Sequence, residues 1–528
     1  MQSLARRSGY LITIILLLAS LAPRSADALD LDSLLIASAG GPDAFDTLRN
    51  VESYRVDGNV TLNGQPGDFT MYFKLPDLFR IDLSFAAFSM TQAYDGRTAW
   101  QRDFNGQVAE MSGFEREELL NQIYLQSFSY LFEDRMPGST AYVGVTTRDG
   151  DDYHEVLFMP FNEDTIRVFL DIETGRQELM IGQLDNLTTR THSSDYRRVS
   201  GVLMAFRSVS EVVGMPVTTE FVVKQVDLHA SLHDSLFLRD DASVTDFHFP
   251  DGADSVIIPI KFRDGLITLD IVLNGRAHAI FILDSGASSN LIDRNLAEKL
   301  QLAQVGSITA RGMAGHEEVG LVRPDSMAIG ALTLYNQVGG KMNITELLQP
   351  MHEQTISGLL GYDFLSRFPI KVDYGRQRLI VYRPDAAYPT DNGIAVPFTL
   401  TMKVPTVHGQ VAGFPGDFLV DLGNVFGVVL HPHFVEETDV ADHLSNRRQL
   451  SGTMGGVGGQ TGAATATVDR LELGPLVVDD VPVVLPEAGD GLVGSRELAG
   501  NIGNAVLKRY AVLFDYVQNV IIFYPDER

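Results

Sequence analysis

Apolar and polar residues alternate in short pieces over residues 51–238, and this period of two is typical of β-strands with one buried face. The stretch 69–73 is a clear example. Turn-forming pairs separate the pieces at 63–64, 95–96 and 149–150, where Asn or Asp precedes Gly. The pattern predicts a long antiparallel sheet in this part of the chain.

The spacing of the apolar residues changes to that of a helix between Glu115 and Glu133. One amphipathic helix is predicted there, with an inward face formed by Leu119, Leu120, Ile123, Tyr124, Ser127, Phe128 and Leu131. This face has to be buried, and the concave side of a curved sheet is the expected place. The N-terminal part is therefore expected to be an α+β unit.

Two segments of the C-terminal half match each other, 281–287 and 418–424. Each has an apolar strand, an aspartate, a glycine two positions later and then a second apolar strand. Two later segments, 361–365 and 503–507, repeat the same order, and each is followed by Asp-Tyr and another apolar strand. Because such self-similarity at one long spacing rarely arises by chance, it predicts two homologous lobes.

The first residues predict export. Arg6 and Arg7 precede an apolar run at 11–19, and an Ala-Asp-Ala cleavage signal follows at 26–28. The run is shorter than the roughly 20 residues that cross a bilayer, so a signal peptide over residues 1–28 is favoured over a membrane anchor. The mature protein is expected to be periplasmic or extracellular.

The length of 528 residues is too great for one hydrophobic core. Together with the patterns above, it predicts an N-terminal domain over 29–240, a linker up to residue 254, and lobes over 255–386 and 387–528. The chain has 41 basic and 68 acidic residues, a net charge of −27, which repels phosphate backbones and excludes nucleic acid as an expected partner. The absence of cysteine excludes disulfides and thiol catalysis.

The N-terminal domain resembles the periplasmic lipoprotein-carrier (LolA-like) family at residues 75–82, 94–100 and 234–237. The resemblance implies a half-open antiparallel β-barrel with an inserted helix and an apolar hollow large enough for a lipid. Two interpretations remain open for the aromatic and methionine side chains of this domain. They bind a lipid or lipoprotein, or they fill a core.

The paired segments of the C-terminal half resemble the aspartic proteases, as retropepsin-like lobes fused in tandem in a bilobal all-β, pepsin-like fold. The Asp-Ser-Gly-Ala at 284–287 and the Leu-Leu-Gly at 359–361 carry the resemblance. It implies that Asp284 and Asp421 are catalytic. It also implies supporting turns at Ser285, Gly286, Ala287, Gly423 and Asn424. Of two glycine-rich hairpins, at least one is expected to be a substrate-binding flap; they contain Gly312, Met313 and Gly315, and Gly456 and Gly458. For the second hairpin, a plain surface hairpin remains the alternative.

Two carboxylates held close together cannot both ionise cheaply, so one keeps a proton while the other stays charged. The charged one can take a proton from water, and the protonated one can donate to a peptide carbonyl. The expected function is an extracytoplasmic aspartic endopeptidase that acts on peptides or proteins without metal or cofactor. Since one chain supplies both carboxylates, a monomer is expected.

The second segment departs from the family pattern. Leu422 stands where a Ser or Thr is usual, Asn424 replaces a small or hydroxyl residue, and the second apolar-apolar-Gly reads Asn501-Ile502-Gly503. These departures keep an alternative open, in which the chain is a catalytically inactive periplasmic protein that binds a lipid, a lipoprotein or a peptide.

Overall fold

The structure is a computed structural model that describes residues 30–161, 164–240, 244–312, 315–348, 354–450, 454–456, 459–487 and 491–525. The predicted signal peptide at 1–28 lies outside these residues. The fold is mainly β, as the sequence predicts. None of the helices in these ranges is long and apolar enough to cross a membrane.

The N-terminal module is one antiparallel sheet of 13 described strands. These are β1 Ser53–Leu62, β2 Gln65–Lys74, β3 Leu78–Phe85, β4 Ser89–Tyr94, β5 Ala99–Arg102, β6 Val108–Glu110, β7 Gly138–Arg148, β8 Asp151–Pro160, β9 Ile166–Asp171, β10 Gln177–Leu184, β11 Leu187–Val199, β12 Val202–Val212 and β13 Thr218–Asp227. Strands β1 and β13 pair in the middle of the sheet, so β6 and β7 form its two edges. This is the half-open barrel that the sequence predicts.

Three helices belong to this module: α1 Leu31–Ser38, α2 Pro42–Arg49 and α3 Gly113–Gln126. Helix α3 connects the two edge strands and is the helix predicted between Glu115 and Glu133. It is shorter than predicted, because Phe128 has a φ of 56°, a left-handed conformation that does not continue a helix. Ser127, Phe128 and Leu131 therefore lie beyond the helix.

Aromatic side chains fill the concave face of the sheet around α3. The hydroxyl of Tyr54 in β1 donates to the carbonyl oxygen of Gln126 at 2.9 Å. At the β7 edge, Tyr124 lies so close to Gly138 that a Cβ there would be 2.6 Å from its ring. Helix α3 thus packs against the middle of the sheet and against its β7 edge, and Ile123 and Phe158 are buried in the same apolar cluster.

The C-terminal half forms two lobes. Lobe 1 contains β14 Phe247–His248, β15 Ser255–Pro259, β16 Lys261–Arg263, β17 Leu266–Leu273, β18 Ala277–Leu283, β19 Leu291–Asp293, α4 Arg294–Lys299, β20 Gln304–Arg311, β21 His316–Val322, β22 Ser326–Ile329, β23 Leu332–Tyr335, β24 Gly339–Met342, α5 Ile344–Leu348, β25 Gly358–Leu360, α6 Tyr362–Leu365, β26 Ile370–Asp373 and β27 Arg378–Tyr382.

Lobe 2 contains β28 Ile394–Pro397, β29 Thr399–Thr401, β30 Val404–Val411, β31 Phe414–Val420, β32 Val428–Leu430, α7 Pro432–Glu437, β33 Leu444–Gln449, β34 Met454–Gly456, β35 Gly459–Thr461, β36 Ala463–Leu473, β37 Leu476–Pro486, β38 Leu498–Ile502, α8 Asn504–Leu507, β39 Ala511–Asp515 and β40 Val520–Tyr524. Two short 3₁₀ helices lie at Asp234–Leu236 and Asp439–His443.

A six-stranded sheet joins the lobes in the order β15-β27-β26-β39-β40-β28. Its central pair is antiparallel, with Ile370 of lobe 1 opposite Phe514 of lobe 2. Both side chains are fully buried in one apolar core that extends through both lobes. This shared core fixes the position of each lobe relative to the other.

Buried polar contacts attach the N-terminal module to the lobes. In the loop between β5 and β6, Asp103 accepts from the Lys403 ammonium at 2.8 Å, and Asn105 donates to the Asp363 carboxylate at 2.9 Å. In the segment between the module and β15, Asp246 pairs with the fully buried Arg367 at 2.6 Å. The side chains of Asp103 and Lys403 are only 4% and 13% exposed. Separating the module from the lobes would therefore leave each of these charges without its partner.

Candidate active site

The two candidate aspartates follow strands built in the same way. Strand β18 runs parallel to β25, and the Asp284 N–H donates to the Leu360 carbonyl at 2.9 Å. Strand β31 runs parallel to β38, and the Asp421 N–H donates to the Ile502 carbonyl at 2.9 Å. Each aspartate therefore leaves a buried strand at the same point of the same local arrangement.

The glycines of the two turns bring the carboxyl groups together. A Cβ on Gly286 would be 2.5 Å from the Asp421 Cγ, and a Cβ on Gly423 would be 2.5 Å from the Asp284 Cγ. Each glycine N–H also donates to the aspartate of its own turn, at 2.9 Å for Gly286 and 2.7 Å for Gly423. Only glycine fits at either position, because any side chain would enter the space of the opposite carboxyl group.

The surroundings keep a proton on this pair. Removal from water raises the pKa of Asp284 well above its usual range, and the neighbouring Asp421 carboxylate raises it further. The N–H groups of Gly286 and Ala287 oppose this shift without cancelling it. Beside the pair, burial first and then Tyr362 and the two aspartates raise the pKa of the Tyr516 phenol, which is therefore neutral.

Ser285 links the two lobes. Its hydroxyl is fully buried, donates to the Val420 carbonyl at 2.8 Å and accepts from the Leu422 N–H at 2.9 Å. No hydroxyl returns from the other side, since Leu422 is an apolar residue that is fully buried in the common core. The hydroxyl link between the two turns is thus made from lobe 1, while the Asn504 amide of lobe 2 donates to the Gly265 carbonyl of lobe 1 at 2.8 Å.

Asn424 acts on the site through a second asparagine. Its Nδ2 lies 3.2 Å from both the carbonyl oxygen and the Oδ1 of Asn501, and its Oδ1 accepts from the Phe426 N–H. Asn501 in turn donates from Nδ2 to the Asp421 Oδ2 at 2.9 Å. In the sequence, Asn501 stands out only as a departure from an apolar pattern. A polar residue at that buried strand position was the signal for its contact with the carboxylate.

Ala287 gives lobe 1 no such donor. It contributes backbone groups only, and its carbonyl accepts from the Tyr362 N–H at 2.9 Å. Both aspartates therefore accept from the glycine N–H two residues later, but they differ in their side-chain donors.

The first predicted flap is a hairpin between β20 and β21. The Gly312 N–H donates to the Gly315 carbonyl at 2.8 Å, and the Gly312 carbonyl accepts from the Leu492 N–H of lobe 2 at 2.9 Å. Met313 lies outside the described residues. The hairpin thus extends from lobe 1 to a loop of lobe 2.

The second predicted flap is the two-stranded ribbon β34–β35, in which Gly456 is opposite Gly459. Gly458 lies outside the described residues. At the base of this ribbon, Met454 packs against Val429 and Val484 of lobe 2.

The N-terminal module holds the first hairpin. The Arg311 guanidinium donates to Asp185 at 2.7 Å, to Asn186 at 2.7 Å and to the Gly491 carbonyl at 2.9 Å. The Arg311 side chain is 9% exposed, and the Asp185 side chain is fully buried. Because Asp185 also accepts from the Arg496 N–H, the β10–β11 turn of the module contacts lobe 1 and lobe 2 together.

Comparison with known proteins gives one family match, to the aspartyl protease model over residues 269–364 of lobe 1. No match was found among curated proteins.

Three solved structures illustrate the structural likenesses. A LolA superfamily protein from Nitrosomonas europaea is 11% identical with a TM-score of 0.30, over 40% of this chain and 99% of that one. Conglutin gamma from lupine seeds is 12% identical with a TM-score of 0.33, over 52% and 95%. A retropepsin-like aspartic protease from Rickettsia conorii is 23% identical with a TM-score of 0.19, over 24% and 90%.

Proposed function

We propose that this protein is an aspartic endopeptidase whose Asp284 and Asp421 activate a water molecule against a peptide bond. The observation that carries the proposal is the reciprocal packing of the turns, in which each glycine leaves room only for the opposite carboxyl group. The family match over lobe 1 supports the same reaction class. The predicted signal peptide supports a place of action outside the cytoplasm.

The reaction uses the single proton that the pair retains. The charged carboxylate takes a proton from water, whose oxygen bonds to the peptide carbonyl carbon, while the protonated carboxyl group donates to the carbonyl oxygen. The tetrahedral intermediate then collapses. Its C–N bond breaks, the nitrogen takes the proton held by the first carboxylate, and a hydroxyl of the intermediate returns a proton to the other. The dyad ends as it began, so no cofactor is consumed.

The test is to incubate the purified mature chain with denatured protein from pH 3 to pH 8, beside Asp284→Asn and Asp421→Asn. These substitutions keep the size of each side chain, so both variants are expected to fold. Circular dichroism checks that they do. Wild type is expected to cleave, and both variants are expected to lose at least roughly a hundredfold in rate. Cleavage that survives in both variants, or a wild type silent at every pH, would overturn the proposal.

A second candidate function, lipid binding, is favoured by a cavity at one end of the N-terminal module. It has a volume of about 690 Å³. Its lining combines the apolar or aromatic residues Leu31, Leu35, Ile36, Phe45 and Tyr130 with the charged residues Asp32, Arg49, Glu133 and Asp134. An apolar chain would replace water in this cavity, and it would do so whether or not the dyad is active. Lipid that co-purifies with wild type and is lost in Leu35→Asp supports this function, and its absence from wild type contradicts it.

A further inference from the structure

Asn501 occupies a position that is apolar in the other lobe. In β38 it is opposite Leu419 of β31, and in β25 the corresponding residue Leu359 is opposite Ile282 of β18. Asn501 is only 2% exposed. A polar side chain in such a strand is costly unless its hydrogen bonds are made, which makes its partners informative.

A chain of hydrogen bonds fixes which end of the amide faces the dyad. The Phe426 N–H can only donate, so the Asn424 oxygen faces it, at 2.9 Å. The Asn424 Nδ2 is then the donor to the Asn501 Oδ1, which leaves the Asn501 Nδ2 as the donor to the Asp421 Oδ2 at 2.9 Å. The direction is set by a backbone N–H and so does not depend on a free choice of amide orientation.

Asp421 consequently has a side-chain donor beside its backbone donor, whereas the donors to Asp284 are the backbone N–H groups of Gly286 and Ala287. Both carboxyl groups accept a backbone N–H from the glycine two residues later. Only Asp421 also accepts from a side-chain amide, because Ala287 and Leu359 are apolar. A donor N–H stabilises the ionised form of a carboxyl group over the protonated form.

We infer that Asn501 is a positioning residue that keeps the negative charge of the dyad on Asp421. Asp421 is then the base that receives the proton from water, and Asp284 is the acid that donates to the carbonyl oxygen. This assignment rests on the proposed function and goes beyond it, since reciprocal turns alone leave the two roles interchangeable.

The titratable groups that face Asp421 agree with this assignment. Asp284 faces it from the turn after β18, and Tyr516 faces it from the turn after β39. The phenol stays neutral because burial raises its pKa. The Asn501 amide therefore acts on a pair that shares one negative charge.

The decisive variant is Asn501→Leu, which places the lobe 1 residue at the lobe 2 position. We expect the acid limb of the kcat/KM–pH profile to move up by about one pH unit and kcat to fall roughly tenfold, with little change in KM. Leu359→Met is the matched control in lobe 1 and should leave the limb in place. Asn424→Ala leaves Asn501 in place but removes the bond that orients its amide, together with the Asn424 contacts to the Asn501 carbonyl and the Phe426 N–H. A smaller shift in the same direction is expected.

A role that is only structural would lower activity at every pH and leave the acid limb where it is, and that result overturns the assignment. If Asn501→Leu does not fold, Asn424→Ala carries the same decision. Titration of ¹³C-labelled aspartate carboxyl groups by NMR gives a readout that does not require cleavage. In Asn501→Leu, the first ionisation step of the dyad should move up, and an unchanged step contradicts the inference. A silent wild type with this NMR shift would overturn the proposed function alone.

Discussion

The turn after β18 in lobe 1 sends the Ser285 hydroxyl across to Val420 and Leu422, whereas the turn after β31 in lobe 2 sends no hydroxyl back. Lobe 2 instead directs the Asn501 amide at its own aspartate, where lobe 1 has Leu359. Both turns keep the same backbone bonds. The turns therefore differ in their side chains, since the lobe 1 turn supplies the hydroxyl that links the two turns and lobe 2 supplies the side-chain donor to a carboxylate.

The hairpins differ in a similar way. The lobe 1 hairpin is fixed by Arg311 to the N-terminal module and by Gly312 to lobe 2. The lobe 2 ribbon β34–β35 packs at its base within its own lobe. The lobe 1 hairpin, like the Ser285 turn, is therefore held by contacts with residues outside lobe 1.

The largest expected effect concerns the feature that the two lobes share. Gly286→Ala and Gly423→Ala each place a Cβ 2.5 Å from the opposite carboxyl carbon, so that this carboxyl group has to move, and an ångström of displacement costs roughly a hundredfold in rate. Both variants should therefore lose activity to a similar extent in the peptide-cleavage assay. Thermal unfolding distinguishes this loss from misfolding. Tolerance of alanine at one glycine but not the other would show that the turns are not equivalent.

The next effect separates the two hairpins. Arg311→Met leaves the buried Asp185 carboxylate without its cation, and a broken buried pair costs about 3–5 kcal/mol. The matched control is Arg448→Met, because Arg448 lies near the end of β33, before the lobe 2 ribbon, and is exposed. That change should stay within about 0.5 kcal/mol.

Chemical denaturation measures both free energies of unfolding, and limited proteolysis reports whether the lobe 1 hairpin is released. Equal free energies for the two variants would contradict the anchoring role of the N-terminal module.

The third effect is a change of stability with pH, which is small over any one pH unit. The pKa of Asp284 is higher in the folded protein than in the unfolded chain, so folding takes up a proton between the two values. Wild type should gain stability as the pH falls from 8 towards 4, by at most about 1.4 kcal/mol per pH unit from this group. Asp284→Asn lacks this contribution and should be the more stable protein at pH 8. A difference between the two that does not narrow on acidification would contradict the raised pKa.

Local patterns were sufficient to predict the strands, the helix and both Asp-x-Gly turns, because these depend on residues close together in the chain. The predicted end of helix α3 was wrong. The apolar spacing continues past Phe128, but the backbone of Phe128 is left-handed and ends the helix. The role of Asn501 could not be predicted in this way. It contacts a carboxylate 80 residues earlier, and only the parallel pairing of β31 and β38 brings the two together.

The contacts between the N-terminal module and the lobes could not be predicted from the sequence either. Arg311 and Asp185 are 126 residues apart, and neither belongs to a motif. A charged pair of this kind is indistinguishable in sequence from two solvated surface residues. Its importance appears only with the burial of both side chains.

The lobe 1 hairpin contributes side chains to the hydrophobic core of the N-terminal module. Val305 and Ile308 pack against the apolar cluster of the N-terminal module, which also includes Leu321 and Val338, and the Gln65 amide donates to the Val305 carbonyl at 2.7 Å. During synthesis the module leaves the ribosome before the hairpin does, and domains generally fold in that order. The surface that receives the hairpin is therefore ready when the hairpin emerges. If the hairpin were synthesised first, Val305 and Ile308 would be exposed to water until the module had folded.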